Sequence, residues 1–218
     1  MLTLGIDEAG RGPCIGSMFI AGTLFEEKQL DKLKQMGIKD SKLLSHKKII
    51  ELSDKIKKIA KDIEVIEVTP KEIDEAIDGN NGLNLNWLEG NKIGEIINKL
   101  NPDKAIIDSP SPNLYKFKHF IKKQIKNKNI ELIVVHKADR DFVECASASI
   151  LAKCAREEHV LKIEKKVKQS IGSGYPSNPI CKNFLKENHE KYPEIIRKSW
   201  APYKTLIKES QQKSLDKF

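Results

Sequence analysis

Aromatic residues and long hydrophobic runs are scarce in this chain of 218 residues. Aromatics make up only 6% of it, so we expect a core built mainly from isoleucine, leucine, valine and alanine. No apolar run approaches the roughly 20 residues that cross a membrane, and the first residues lack the cationic start of a secretory signal peptide. These features favour a cytoplasmic globular protein, long enough for one domain and an appendage.

Cysteine and histidine are also sparse, and their spacing removes several kinds of site. The four cysteines, at positions 14, 145, 154 and 181, fit neither a CxxC pair nor the spacing of zinc ligands. They stand among small or apolar neighbours, so we expect buried free thiols in a reducing compartment. The five histidines form no HxxxH pair, and no GxSxG turn is present to carry a serine nucleophile.

Positive charge exceeds negative charge: 39 lysines and arginines stand against 31 acids, for a net charge of +8. This surplus favours a polyanionic partner, or equally a lysine-rich surface that confers solubility and heat stability. Arginine accounts for only four of the cations. Because only a guanidinium group offers a planar, bidentate fork, each arginine is a candidate for a specific role. The four are Arg11, Arg140, Arg156 and Arg197.

The hydrophobic pattern alternates between the periods of strands and helices. Strands are predicted at residues 2–6, 18–25, 63–68, 104–107 and 132–135. Helices are predicted at residues 30–36, 47–60, from 70 onward, 83–100, 113–125, about 141–170, 181–192 and 202–213. Ser45 is a candidate cap for the second helix, and Thr69 with Glu72 forms a capping box for the third.

This order of elements predicts an α/β fold with a mixed sheet. Strands alternate with helices, but the connection between the first two strands is too short for a helical crossover, so they should be antiparallel. The run GSGYP at residues 172–176 breaks the pattern, and only helical segments follow it. We predict one α/β domain over residues 1–175 and a C-terminal helical extension over residues 176–218.

Acidic residues follow three of the predicted strands. Asp7 and Glu8 come directly after the first, Asp108 ends the run of residues 105–107, and Asp139 lies just past the last strand. Ligands of open α/β sheets bind beyond the strand ends, and clustered carboxylates repel one another unless cations lie among them. Oxygen ligands without histidine favour Mg²⁺ or Mn²⁺, and two such ions can activate water against a phosphodiester. Strand-end acids are also common as helix caps and turn residues, so this pattern leaves both interpretations open.

The glycines that follow the first strand allow a ligand to approach the backbone closely. Gly10, Arg11 and Gly12 precede Pro13, and the spacing to Gly16 does not match a dinucleotide-binding loop. Two acids directly before the loop would also repel a pyrophosphate. Arg11 is a candidate phosphate contact, with a surface salt bridge as the alternative.

Two residues on other predicted loops are candidates for substrate contact. Lys42 precedes a helix and could contact a phosphate, although a solvated lysine is equally consistent with its surroundings. Tyr175 lies on a loop between glycines and Pro176, where exposed aromatic side chains often stack on sugars or bases. Packing against the helical extension is the alternative for Tyr175.

Taken together, these motifs resemble type 2 ribonuclease H, ribonuclease HII, in its archaeal form. The resemblance runs in order from residue 2 to about residue 200 and is most specific in DEAGRGP at residues 7–13. The other matching segments are DSK at 40–42, LNLNWLE at 83–89, IDS at 107–109, KAD at 137–139, ASILAK at 148–153 and GSGYP at 172–176. The resemblance implies an RNase H-like three-layer α/β/α fold with a mixed central sheet.

The resemblance also implies an activity and a set of catalytic residues. A divalent-metal-dependent endonuclease would cleave the RNA strand of RNA–DNA hybrids and nick 5′ of single ribonucleotides in duplex DNA, leaving a 3′-hydroxyl and a 5′-phosphate. Such an enzyme serves ribonucleotide removal and primer clearance. By this likeness, two Mg²⁺ or Mn²⁺ ions bind to Asp7, Glu8, Asp108 and Asp139. The KAD context favours Asp139 over its acidic neighbour Asp141 as the fourth ligand.

The same likeness assigns the substrate contacts. The loop Gly10, Arg11 and Gly12 would read the ribose 2′-hydroxyl from its backbone, and Tyr175 would pack on that sugar. Lys42 would hold a flanking phosphate. The 2′-hydroxyl is the group that distinguishes RNA from DNA locally, which agrees with a close-approach glycine loop.

The sequence leaves two other functions open. A basic, non-catalytic module that binds RNA–DNA hybrids or structured RNA would explain the charge, with steep salt dependence. A Mg²⁺-dependent phosphatase for small molecules would explain the carboxylates but not the basic surplus. Family likeness favours a monomer. The tail residues Gln211, Gln212, Leu215 and Phe218 loosely resemble a docking peptide for a sliding clamp, with a frayed polar terminus as the alternative.

Overall fold

The structure is a computed structural model that describes residues 1–35, 38, 45–79 and 83–215, with side chains through residue 209. Its sheet consists of β1 Leu2–Ala9, β2 Met18–Glu26, β3 Asp62–Val68, β4 Lys104–Asp108 and β5 Glu131–Val135. Its helices are α1 Glu27–Gln35, α2 His46–Ile59, α3 Pro70–Asp78, α4 Leu85–Leu100, α5 Leu114–Gln124, α6 Ala138–Asp141, α7 Val143–Val167, α8 Pro179–Asn188 and α9 Ala201–Leu215. A 3₁₀ turn spans Pro193–Ile195.

The five strands form one mixed sheet in the order β3-β2-β1-β4-β5. The pairs β1–β2 and β2–β3 are antiparallel, whereas β4 lies parallel to both β1 and β5. This arrangement confirms the predicted mixed sheet. Because β1 and β4 are parallel neighbours with Ile6 opposite Ile107, the residues that follow each of them emerge at one edge.

Helices cover both faces of the sheet, which gives the predicted three layers. Helices α4 and α5 pack on one face through a cluster of isoleucines and leucines that includes Ile96 and Ile121. Helices α2 and α7 cover the other face. A Cβ atom on Gly5 would lie 2.1 Å from the backbone carbon of Glu144, so α7 can pack almost against β1 only because residue 5 is glycine.

Two predicted helix starts are confirmed by their caps. The Ser45 hydroxyl accepts a hydrogen bond from the Lys48 N–H at the start of α2. At the start of α3, the Glu72 N–H donates to the Thr69 side chain and the Thr69 N–H donates to the Glu72 carboxylate. Each contact satisfies an N–H group that has no partner within the helix.

The long helix predicted over about 141–170 is present as α7, Val143–Val167, and a separate single turn, α6, precedes it. The single turn α6 ends at Asp141, and the next residue, Phe142, has an extended backbone (φ −121°, ψ 118°) before α7 begins at Val143. Lys137, before α6, has a left-handed backbone conformation (φ 60°), so the chain turns sharply after β5. Asp139 lies in this additional turn, between β5 and the long helix.

Other boundaries shift by a few residues. The first helix begins at Glu27 and not at residue 30. The helix predicted over 181–192 is α8, which ends at Asn188 and is followed by the 3₁₀ turn. Pro193 lacks an N–H group and disfavours a helical conformation at residue 192, so a helix could not continue past that point.

The C-terminal helices pack against the loop that joins β1 to β2. Ile15 pairs with Ile196 in an isolated bridge, and both belong to a buried cluster that includes Cys14 and Phe184. The predicted extension is therefore present as helices, while its boundary after residue 175 stays a prediction. All four cysteines are free and buried, as expected. Within the described ranges, no helix is both long and apolar enough to cross a membrane.

Candidate active site

Three of the four predicted acids meet at one edge of the sheet. Asp7 lies near the end of β1, Asp108 ends β4, and Asp139 lies in α6 directly after β5. Each contributes a carboxylate oxygen to a group whose members all lie within 4.8 Å of one another. Asp7 and Asp139 are buried, and Asp108 is partly exposed. We call these three residues the carboxylate cluster.

Backbone amides fix the orientation of two carboxylates in the cluster. The Glu8 N–H donates to Asp7 Oδ1 over 2.8 Å, and the Lys137 N–H donates to Asp108 Oδ1 over 2.8 Å. The Ser149 side chain on α7 also hydrogen-bonds to the Asp7 carboxyl group. This contact joins α7 to β1, and the sequence alone does not reveal it, because the two residues lie on different elements. The small-residue stretch of α7 allows both the close packing and the contact.

The cluster is electrostatically unfavourable when it contains no cation. Burial raises the pKa of Asp7 well above its usual value, and the charges of Glu8 and Asp108 raise it further, against the hydrogen bond from Ser149. Three acidic oxygens at this separation form the donor set that a hard divalent ion prefers. The residues therefore fit a Mg²⁺ or Mn²⁺ site, and they do not fit a zinc site built on histidine or cysteine.

Glu8, the fourth predicted acid, lies beside the carboxylate cluster and not within it. The group of closely spaced oxygens consists of Asp7, Asp108 and Asp139, but the charge of Glu8 still acts on Asp7. Burial raises the pKa of Glu8 to about 8, with further contributions from the charges of Glu89 and Asp108 and an opposing one from Arg11. Glu8 lines a cleft of about 430 Å³.

Glycines shape the cleft next to the cluster. Gly10 has a positive φ of 81°, and a Cβ atom there would lie 2.7 Å from Cδ of Arg156. A Cβ atom on Gly12 would lie 3.1 Å from the ring of Tyr175, which also lines the cleft. The Arg156 guanidinium lies 5.4 Å from the centre of that ring, a cation–π distance. The structure thus brings Gly10, Gly12 and Tyr175 together on one cleft.

Arg11 does not point freely into solvent. Its Nε donates to Glu89 Oε1 and its Nη2 donates to Asn86 Oδ1, both over 2.8 Å. The salt bridge that was the alternative role for Arg11 is therefore observed, but its partner, Glu89, is buried and does not lie on the surface. The backbone of the Gly10–Gly12 segment remains available on the cleft.

Glu89 is a site residue that sequence reasoning missed. Its side chain is 1% exposed, and its Oε2 has no hydrogen-bond partner within the described part of the chain. Burial raises the pKa of Glu89 to about 7, although Arg11 opposes that rise. A signal was present, because Glu89 occupies the apolar stripe of α4 that continues through Ile93, Ile96 and Ile97. An acid at such a position indicates a specific partner.

The scarcity of arginine is a second feature of the sequence that indicates this site. Three of the four arginines contact the glycine loop: Arg11 belongs to it, Arg156 lies against Gly10, and Arg197 donates to its carbonyl groups. Lys153 and Arg156 add positive charge to the wall of the cleft. Lys42, predicted to hold a phosphate, lies outside the described residues.

Comparisons with known proteins identify the family of the chain. The family model of Ribonuclease HII matches residues 4–203. A ribonuclease HII from Methanococcus maripaludis is 42% identical over 98% of this chain and 90% of its own. The ribonuclease H2 structure from Pyrococcus horikoshii matches with a TM-score of 0.87 and 35% identity, covering 96% of this chain and 98% of its own. A ribonuclease HII from Archaeoglobus fulgidus, solved in complex with PCNA, gives 0.82 and 33%, covering 92% and 95%.

A model match over most of the chain, relatives well above 30% identity, and a shared fold with the acids at one sheet edge all point to the same family. The chain therefore belongs to the ribonuclease HII family and is a ribonuclease H, a hydrolase that cleaves the RNA strand of RNA–DNA hybrids with divalent metal ions.

Proposed function

We propose that this ribonuclease H also nicks duplex DNA on the 5′ side of a single embedded ribonucleotide, leaving a 3′-hydroxyl and a 5′-phosphate. The observation that carries the proposal is the position of the glycine loop and Tyr175 on one cleft that Glu8 also lines. A site that recognises one ribose needs close backbone approach and a flat ring, and both are present within that cleft.

The loop contributes recognition through its backbone. Gly10 adopts a positive φ and Gly12 leaves room for the Tyr175 ring, so a sugar can approach the amide groups without meeting a side chain. Backbone amides can donate to a 2′-hydroxyl, which a deoxyribose lacks. The Tyr175 ring, 38% exposed, offers a flat apolar surface on which the sugar can pack. Lys42 is proposed as a contact to a flanking phosphate.

The acids are proposed to hold two divalent ions, Mg²⁺ or Mn²⁺. Asp7, Asp108 and Asp139 supply the closely spaced oxygens, and Glu8 supplies a fourth carboxylate at the border of the cleft. When bound, such ions lower the pKa of a water nucleophile and stabilise the charge of the departing oxygen. The backbone amides of Glu8 and Lys137 keep two of these carboxylates oriented before substrate arrives.

Basic side chains on the wall of the cleft would orient the duplex by contacting its phosphates. Lys153 and Arg156 lie on α7 beside the cleft, where they can contact the phosphates next to the scissile bond.

That the enzyme acts as a cytoplasmic monomer stays a prediction. Docking of the C-terminal tail to a sliding clamp is proposed by analogy with the Archaeoglobus fulgidus relative in complex with PCNA. The side chains of Gln211, Gln212, Leu215 and Phe218 lie outside the described residues.

The test is cleavage of an end-labelled DNA duplex with one central ribonucleotide, in Mg²⁺, in Mn²⁺ and in EDTA. We expect a metal-dependent nick immediately 5′ of the ribonucleotide, and no nick in the same duplex with deoxyribose at that position. A full RNA–DNA hybrid serves as the control for intact enzyme.

The outcomes separate the alternatives. Cleavage of the hybrid without cleavage at the single ribonucleotide would refute the proposed specificity. Tight, salt-dependent binding without cleavage of either duplex would favour a non-catalytic binding module. Asp7→Asn should bind the ribonucleotide duplex and fail to nick it, which ties the nick to the carboxylate cluster and not to a contaminating nuclease.

A further inference from the structure

The carbonyl groups of the glycine loop are held by one buried arginine from the C-terminal part of the chain. Arg197 Nη2 donates to the Gly10 carbonyl over 2.6 Å, and its Nη1 donates to the Arg11 carbonyl over 2.8 Å. Its Nε donates to the Gly16 carbonyl over 2.9 Å, at the other end of the same connection. The guanidinium fork thus spans the whole loop.

Trp200 holds the next carbonyl group of the loop. Its indole Nε1–H donates to the Gly12 carbonyl over 3.1 Å, and the Arg197 guanidinium lies 5.1 Å from its ring centre. Three successive carbonyl groups, at residues 10, 11 and 12, are therefore bound by two side chains that are three residues apart. We call Arg197 and Trp200 the holding pair.

The holding pair constrains the loop strongly because the arginine is fully buried. Arg197 is 0% exposed, and burial lowers its pKa to about 10, so it remains charged at neutral pH. A buried guanidinium group left without acceptors is very unfavourable. The loop carbonyls therefore cannot turn away from Arg197 without a large cost, which fixes the peptide planes of the loop.

Fixed carbonyl groups also fix the direction of the amide groups. In a planar trans peptide, the C=O of one residue and the N–H of the next point to opposite sides. With the carbonyls of Gly10 and Arg11 directed at Arg197, the N–H groups of Arg11 and Gly12 point away from it. Gly10, Arg11 and Gly12 themselves line the cleft. The carbonyls are thus withdrawn from the surface where the substrate is proposed to bind.

We propose that Arg197 and Trp200 are positioning residues for ribonucleotide recognition, which act by orienting the amide groups of the glycine loop. The inference rests on the proposed function, because it concerns the recognition of a single ribose. It makes part of the C-terminal segment a component of the specificity apparatus, in addition to any contact of its helices with the duplex. The alternative is that the pair only joins the C-terminal helices to the α/β body.

A matched pair of single substitutions separates these two roles. Trp200→Phe removes the hydrogen bond to the Gly12 carbonyl and keeps an aromatic ring over Arg197. Ser199→Ala is the control, because the Ser199 hydroxyl donates to Asp74 Oδ1 over 2.6 Å and joins the same segment to α3 without contacting the loop. Both variants lose one hydrogen bond of the C-terminal segment, and only one of those bonds reaches the loop.

The measured quantities are kcat and KM on the duplex with one ribonucleotide, together with the inhibition constant of the matching all-DNA duplex. We expect Trp200→Phe to lower kcat/KM by roughly 3- to 10-fold, the effect of one hydrogen bond, with an unchanged inhibition constant. Ser199→Ala should stay within about twofold of the wild type on both measures. Thermal melting of both variants monitors the fold.

Arg197→Lys provides a second test, since lysine keeps the charge but cannot donate to diverging carbonyls in a fork. We expect a larger loss of kcat/KM than in Trp200→Phe, again specific to the ribonucleotide duplex. The inference would be overturned if Trp200→Phe and Ser199→Ala lowered kcat/KM equally. It would also be overturned if the affinity for the all-DNA duplex fell as much as kcat/KM on the ribonucleotide duplex. If instead the wild type cleaves hybrids but never the single ribonucleotide, the proposed function fails, and the comparison of Trp200→Phe with Ser199→Ala on the hybrid then decides whether the pair orients the loop.

Discussion

The carboxylate cluster and the glycine loop lie side by side, but the chain positions them in different ways. Asp7 and Asp108 are neighbours because β1 and β4 are adjacent parallel strands, so backbone hydrogen bonds bring them together. The loop that begins at Gly10 is held instead by a side chain 187 residues further along the chain. One region follows from the sheet, whereas the other requires the last part of the chain to be folded.

The two regions also differ in the sign of their buried charge. The cluster collects like-charged acids, which repel one another until cations bind. The loop presents carbonyl oxygens to the buried cation Arg197, whose charge they satisfy. We therefore expect changes in the cluster to lower activity while raising metal-free stability. Changes around the loop should lower both specificity and stability.

The largest expected effect is in the cluster and distinguishes two neighbouring acids. Asp139 is buried in the cluster, whereas Asp141 in the same short helix is exposed. Asp139→Asn should lower kcat on an RNA–DNA hybrid by on the order of 10³-fold, because it removes a metal ligand. Asp141→Asn, the matched control, should stay within about twofold. Similar losses in the two variants would show that the assignment of the fourth carboxylate is wrong.

A smaller effect is expected on the loop side of the comparison. Tyr175→Ala removes the ring that contacts Gly12, so kcat/KM on a single-ribonucleotide duplex should fall by roughly tenfold or more. Tyr175→Phe keeps this contact and should retain most of the activity. Steady-state kinetics on the ribonucleotide duplex and on the hybrid provide the comparison. Full activity of the alanine variant would exclude the proposed packing of this ring on the sugar.

The smallest expected effect is on stability, and it has the opposite sign to the loss of activity. In EDTA, Asp7→Asn should be more stable than the wild type by about 1 kcal/mol, or about 2–4 °C in melting temperature for a chain of this size. The physical reason is that a neutral side chain removes repulsion from Glu8 and Asp108. Saturating Mg²⁺ should reverse the order, because the wild type binds the ion more tightly.

The pH dependence of stability tests the raised pKa of Glu8, because proton binding and folding are linked. The folded pKa of Glu8 is about 8 and its usual value is 4.5, so the folded protein binds more protons than the unfolded one between these values. The contribution of Glu8 to stability in EDTA is therefore fully present below about pH 4.5 and is lost as pH rises through about 8. Glu8→Gln should flatten this slope in thermal melts recorded across that range. An unchanged slope would contradict the raised pKa.

Local signals predicted most of the elements because their causes are local. The capping box of Thr69 and Glu72 and the cap at Ser45 depend on residues three positions apart, and both are present. The short helix α6 was not predicted, because no glycine or proline marks the turn at Lys137, whose backbone is left-handed. The contact of Ser149 with Asp7 was not predicted either, because the two residues lie on different elements.

The sequence by itself determined the candidate residues for the chemistry. Acids at strand ends and glycines after Glu8 can be read from the chain, since strand periodicity and glycine geometry are local properties. Only the tertiary structure decided what holds them. The partners of the loop, Glu89 and Arg197, lie far from it in the sequence, and burial gives them their influence by making any unpaired charge costly. Long-range packing of that kind leaves no periodic trace along the chain.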